Sequence, residues 1–226
     1  MFRTDTPRPI KLKDYTPPAY VIDQVNLDFS LHPTATRVKS RLKMRPNPKA
    51  GKGKRAKGEP LHLDGEQLKL IEVKLDNRLL GPDDYVVSDM GLAIVDVPDR
   101  DFTLDVVTEV NPDKNTELQG LYRSKGIYCT QCEAEGFRTI TWFPDRPDVM
   151  TSYTVTLEAD KADFPVLLSN GNLTDSGDVP GGRHWARWRD PFPKPSYLFA
   201  IVAGDLSLVE DHFRTRSGRD VTLRIY

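Results

Sequence analysis

The sequence holds two cysteines, four histidines and no apolar run long enough to cross a bilayer, and each shortage closes off a class of function. Two cysteines in 226 residues cannot make the disulfide framework of a small secreted domain. The histidines, His32, His62, His184 and His212, are scattered singly, with no H-E-x-x-H spacing to set two imidazoles on one helix face. The opening MFRTDTPRPIKLKDYTPPAY lacks the apolar core of a signal peptide, so the expected compartment is the cytoplasm. An excess of one charge is missing too. Thirty-two Lys and Arg against 33 Asp and Glu leave a net charge of −1, with no global field to draw in nucleic acid or an anionic membrane. Neither is expected as a partner.

A sustained helical period is also absent. What the chain has instead is short apolar runs, many of them alternating, as in 20–29, where Val21, Val25, Leu27 and Phe29 recur at even spacings. Period two marks a half-buried strand. The same reading predicts strands over 38–44, 68–75, 85–87, 92–97, 102–110, 138–143, 152–157, 166–169, 183–189, 197–203 and 221–226. Turn signals at Asp76-Asn77, Gly81-Pro82, Asn111-Pro112, Asn170-Gly171 and Gly181-Gly182 support hairpin connections. The expected fold class is therefore all-β, an antiparallel sandwich or saddle of stacked sheets, in one domain large enough to bury a core. Residues 45–58 are basic, Gly-rich and free of apolar anchors, and read as a mobile, solvated loop joining two strands rather than a phosphate contact.

Both cysteines fall in CTQCEAEGFR, residues 129–138. A zinc knuckle needs a second pair of Cys or His ligands, and none exists. A redox pair needs a lowered thiol pKa, yet Glu133 and Glu135 follow at once and act the other way. In an extended chain, residues three apart point to opposite faces and lie roughly 10 Å from each other, too far for a disulfide. Free thiols, buried or half-buried, are the expectation. The same geometry, if 129–133 is extended, puts Gln131 and Glu133 on one face and Cys132 on the other. An amide beside a carboxylate is a pair able to bind an ammonium group.

The motifs GLY at 120–122, CTQCEAEGFR at 129–138, FPDRPDV at 143–149, LDGEQLKL at 63–70, LSNGN at 168–172, GRHW at 182–185, DPFPKP at 190–195, YLFA at 197–200, AGD at 203–205 and TRSGR at 215–219 occur in one order. With them the chain resembles the N-terminal domain of bacterial M1-family zinc metallopeptidases of the aminopeptidase N type. The likeness runs from about Tyr15 to Tyr226, and the basic stretch 48–58 is longer and richer in Lys than the family pattern. The resemblance implies a saddle-shaped β-domain over 15–226, preceded by an N-terminal extension over 1–14. It implies docking onto the chain's own catalytic domain, which in the family carries H-E-x-x-H for zinc and G-A-M-E-N for the substrate amine.

Neither of those motifs occurs in these 226 residues, so the resemblance implies a domain that binds no catalytic zinc and is inactive alone. It further implies that Gln131 and Glu133 reach the catalytic cleft, with Glu133 joining the G-A-M-E-N glutamate on the α-ammonium group of a peptide. Paired carboxylates of this kind favour a free amine over an acylated one. A non-enzymatic interaction module derived from the same fold is the alternative. Of the neighbouring polar groups, Asp145, Arg146 and Asp148 read as a turn held by Asp capping and an Arg ion pair. Glu135 reads as a surface or structural acid, His184 as a hydrogen-bonded histidine, and Trp185 and Trp188 as core or interface aromatics.

Overall fold

The computed structural model describes residues 11–51 and 58–226. In chain order the first strands are β1 (Tyr20–Ser30), β2 (Thr36–Pro46), β3 (Leu61–Asp64), β4 (Lys69–Leu75), β5 (Arg78–Leu79), β6 (Tyr85–Ser88), β7 (Gly91–Ile94) and β8 (Phe102–Val110). There follow β9 (Gly120–Ser124), β10 (Ile127–Gln131), β11 (Thr151–Asp160), β12 (Val166–Ser169), β13 (Asn172–Val179), β14 (Arg183–Lys194), β15 (Ile201–Gly204), β16 (Val209–Arg214) and β17 (Asp220–Ile225). Among the described residues the only helices are single 3-10 turns. The all-β class is as the alternation predicts.

Eight strands form the main sheet in the order β13-β14-β11-β1-β2-β8-β4-β5. Its inner face is the alternating apolar set: Val25, Leu27 and Phe29 of β1, Val38, Leu42 and Met44 of β2, Leu104 and Val106 of β8, and Tyr153, Val155 and Leu157 of β11 are all buried. The opposite face is polar, with Asn26, Asp28, Arg41, Asp105, Thr154 and Arg187 lining a concavity of ≈ 770 Å³. Two smaller sheets, β12-β15-β10-β9 and β3-β7-β6, add Leu63, Leu92, Ile94, Tyr128, Leu167 and Ile201 to the same core. The sheets are antiparallel except where β1 runs parallel to β11. That pair is joined by a long excursion through β2 to β10 rather than by a hairpin, which is what a parallel pairing requires.

Some turn signals make hairpins and others do not. Asp76 and Asn77, with φ of 48° and 66°, close β4 onto β5, and Gly181 and Gly182, with φ of 82° and 75°, close β13 onto β14. Asn170-Gly171 is instead a corner, since β12 and β13 belong to different sheets. Asn111 caps the 3-10 turn Pro112–Lys114, its side chain accepting the Lys114 N–H. Gly81-Pro82 opens a turn closed by the Asp84 carboxylate on the Gly81 N–H.

Three expectations change. Residues 138–143 are not a strand: the 3-10 turn Phe137–Thr139 leads to a lone bridge between Phe143 and Asp64, and Ile140, Thr141, Trp142 and Phe143 are buried without a break rather than on one face. Residues 197–203 divide into the 3-10 turn Ser196–Leu198 and β15. The basic stretch begins later than expected, since Arg45 and Pro46 still belong to β2, where Arg45 pairs with Asp23, and Ala50 is buried. Residues 52–57, its most basic part, lie outside the described residues, as do residues 1–10 of the N-terminal extension.

The last two strands stand apart. Cross-strand partners share a face, so Val209, Phe213, Val221, Leu223 and Ile225 lie on one side of the β16–β17 ribbon with Asp211. Glu210, His212, Arg214, Asp220, Thr222 and Arg224 lie on the other. The apolar side is uncovered: Val209, Phe213 and Ile225 are 64%, 57% and 69% exposed.

Candidate functional site

β10 lies inside the four-stranded sheet, paired with β9 through Gln131 and Gly120 and with β15 through Cys129 and Val202. One residue on, Thr130 replaces the ladder: its hydroxyl donates to the Ile201 carbonyl (3.3 Å) and accepts the Ile201 N–H (2.9 Å). The strand ends at Gln131. Extended backbone through Glu133, expected from the alternation, is not found. Cys132 turns inward to 2% exposure, and 133–136 form a turn closed by the Gly136 N–H on the Cys132 carbonyl (2.8 Å). Glycine permits that closure. A Cβ at Gly136 would overlap the Gln131 carbonyl oxygen and stand 3.0 Å from Cys132 Cα.

Gln131 and Glu133 therefore do not share a strand face, yet they remain neighbours. The Gln131 amide donates to the backbone carbonyl of Glu133 (3.3 Å), which steadies the turn and leaves the carboxylate alone. The Glu133–Ala134 peptide is cis. Both side chains are exposed, and among the described residues the Glu133 carboxylate has neither a hydrogen bond nor an ion pair. Both thiols are free, Cys129 half-buried and Cys132 buried, and burial pushes both upward in pKa, Cys132 further because it is more deeply buried, with Asp145 adding to the shift.

The turn is fixed from behind by two kinds of contact. Phe137, fully buried, meets Phe143 (5.0 Å between ring centres), Phe199 (5.2 Å) and Tyr153 (6.2 Å), all at steep interplanar angles. Arg138, next to it, is gripped by Asp145. The carboxylate of Asp145 accepts both the backbone N–H of Arg138 (3.1 Å) and its Nε (3.2 Å), while Nη2 donates to the Asp145 carbonyl (3.0 Å). Ser196 donates its hydroxyl to the other oxygen of Asp145, and Asp64 accepts the Asp145 N–H (2.8 Å).

Glu135, Glu66 and Asp64 surround the rest of the guanidinium at 3.7, 3.8 and 4.0 Å. Burial raises the pKa of Asp145 even against the bonds from Ser196 and Arg138. Burial also works against the charge on Arg138, but Asp64, Asp145 and Glu135 together carry its pKa upward. With side chains 11% and 1% exposed, the pair is one whose disruption by loss of either partner costs about 3–5 kcal/mol.

The turn expected at 143–149 keeps its Arg ion pair but uses Asp145 elsewhere. Arg146 pairs with Asp148 (2.7 Å), which also accepts the Tyr15 hydroxyl, but Asp145 serves Arg138 instead. Sequence reasoning missed this cluster. Glu135 and Arg138, three apart, were a visible hint of a local pair; nothing local joins Asp145 to Asp64, 81 residues earlier. His184 is half-buried with Nε2 2.7 Å from the Phe164 carbonyl, Trp188 donates Nε1 to the Leu167 carbonyl (3.0 Å), and Trp185 stacks under Arg187.

Residues 61–198 match the model of the peptidase M1 N-terminal domain family. The chain belongs to that family. This M1 domain is 53% identical over 224 residues to aminopeptidase N of Caulobacter vibrioides, covering 99% of this chain and 25% of that protein. Against aminopeptidase N of Escherichia coli the identity is 44%, over 99% of this chain and 24% of the relative. The crystal structure of Legionella pneumophila aminopeptidase A in complex with aspartic acid superposes with a TM-score of 0.85 at 35% identity, covering 95% of this chain and 25% of that one. The M1 domain described here thus spans about a quarter of the length of the curated relatives it matches.

Among the described residues no three His, Cys, Asp or Glu side chains are grouped to hold a metal ion. No helix among them is long and apolar enough to cross a membrane.

Proposed function

We propose that this chain is the N-terminal part of a zinc-dependent aminopeptidase that removes residues from peptide N-termini, and that it supplies the carboxylate of Glu133 to the α-ammonium group of the substrate. One observation carries the reading. Glu133 is an exposed carboxylate without a hydrogen-bond or ion-pair partner among the described residues, on a turn tied down by Gln131 on one side and Arg138 on the other. Gln131 contributes by holding the backbone of that turn.

In the parent, the G-A-M-E-N glutamate of the catalytic portion faces Glu133 across the cleft. An ammonium ion between two carboxylates in a poorly solvated site makes charge-assisted hydrogen bonds that an acylated nitrogen cannot. The first peptide bond is thereby set at the reacting position, and positioning entropy is met by binding.

Zinc belongs to the catalytic portion. Alone, the domain holds an amine-binding group and no means of hydrolysis. The apolar side of the β16–β17 ribbon supports docking of the catalytic portion at that end of the molecule. Two free thiols suit a reducing compartment, and we place the parent in the cytoplasm.

The test is Glu133→Gln in the full-length parent, assayed on aminoacyl substrates. KM rises with kcat less affected, the loss corresponding to about 1.5–3 kcal/mol for one charge-assisted contact. Unaltered KM would remove Glu133 from the site.

A further inference from the structure

Glu133 stands on an exposed turn with one cation close in sequence, Arg138. An unrestrained guanidinium there would neutralise the very carboxylate that the substrate amine needs. We propose that Asp145 and Arg138 are positioning residues for Glu133: Asp145 holds Arg138 through its backbone N–H, Nε and Nη2, so that the turn is fixed and the Glu133 carboxylate is left free. The inference rests on the amine-binding role of Glu133.

Three segments distant in sequence meet to accomplish this. Asp64 arrives from the end of β3 and accepts the Asp145 N–H; Ser196 arrives from a 3-10 turn and donates to the Asp145 carboxylate; Arg138 leaves the Glu133 turn and donates its backbone N–H and Nε to the other oxygen of that carboxylate. Glu66 adds a backbone tie, its N–H donating to the Arg138 carbonyl (3.0 Å). Asp145 takes hydrogen bonds from Nε and Nη2, and Asp64, Glu66 and Glu135 stand at 4.0, 3.8 and 3.7 Å, so the guanidinium is ringed by carboxylates. Glu133 is absent from that shell. The excess of carboxylate over guanidinium also leaves a negative field at the turn, which draws an ammonium group and repels a substrate carboxylate.

The arrangement predicts action through Glu133 and not on the chemistry. In the full-length parent, Asp145→Asn raises KM for free-amine substrates about 10-fold or more, the scale of a misplaced binding group, while kcat stays within about 2-fold. The milder Ser196→Ala, which removes one of the supports of Asp145, moves KM the same way by less and guards against loss of folding in the first variant.

The deciding measurement is a double-mutant cycle with Glu133→Gln. If Asp145 and Ser196 work by placing Glu133, their substitutions add nothing to KM once Glu133 is Gln. Multiplying effects in that background, or a fall in kcat equal to the rise in KM, would overturn the positioning role. An unchanged KM in Glu133→Gln alone would instead remove the amine-binding role, so the two failures are told apart.

Discussion

Gly136 lies so close behind the end of β10 that any side-chain carbon at that position would overlap the carbonyl oxygen of Gln131. This contact decides where the strand ends and where Glu133 is presented. Its φ of −82° is one any residue adopts, so the constraint is space alone. Gly136→Ala should therefore cost about 1–3 kcal/mol by forcing the turn off the strand. Denaturant melts would show it, and a variant as stable as the parent chain would contradict the close approach.

Alkaline stability should report a buried tyrosine. Tyr128 is wholly buried with no partner for its hydroxyl, and burial, tempered by the nearby Arg123 guanidinium, pushes its phenol from 10.0 up to about 12. Burial pushes Tyr153 upward as well. In the window between these values the native state keeps a proton that the unfolded chain has lost. The contribution of Tyr128 is thus full below pH 10.0 and is lost as pH rises through about 12. Denaturation midpoints measured across that window should fall while phenol absorbance shows the buried tyrosines ionising last. Complete ionisation of all eight tyrosines near pH 10, with native circular dichroism retained, would rule this out.

The β16–β17 ribbon should be separable in energy from the core. Its apolar side chains are exposed, so Phe213→Ser or Ile225→Ser in this chain should change stability by no more than about 0.5 kcal/mol. In the full-length parent the same changes should loosen the junction with the catalytic portion and lower its melting temperature. An equal loss in both settings would place the ribbon within the core of this domain and against the docking role.

What was legible in the chain is the part that each strand announces by itself. β1, β2, β8 and β11 alternate because one face meets the core and the other meets water, so period two appears directly in Val25, Leu27 and Phe29 or in Tyr153, Val155 and Leu157. The polar β13 has no such pattern, since it is an exposed edge held by its ladder to β14. Residues 138–143 misled because a short apolar run looks the same whether it is a strand or a continuously buried irregular segment, as 140–143 are.

At the site, local spacing pointed to Gln131 and Glu133 as neighbours but misjudged how they meet, since the strand end depends on a backbone approach at Gly136 that no spacing reveals. The sequence by itself determined the all-β class, the family and the candidate carboxylate. Only the tertiary structure decided that Arg138 is held by Asp145 and not paired with Glu133, because that choice is made where segments as far apart as Asp64, Arg138 and Ser196 converge. Alternation is a property of one strand against water; an ion pair in a buried cluster is a property of every segment that meets there.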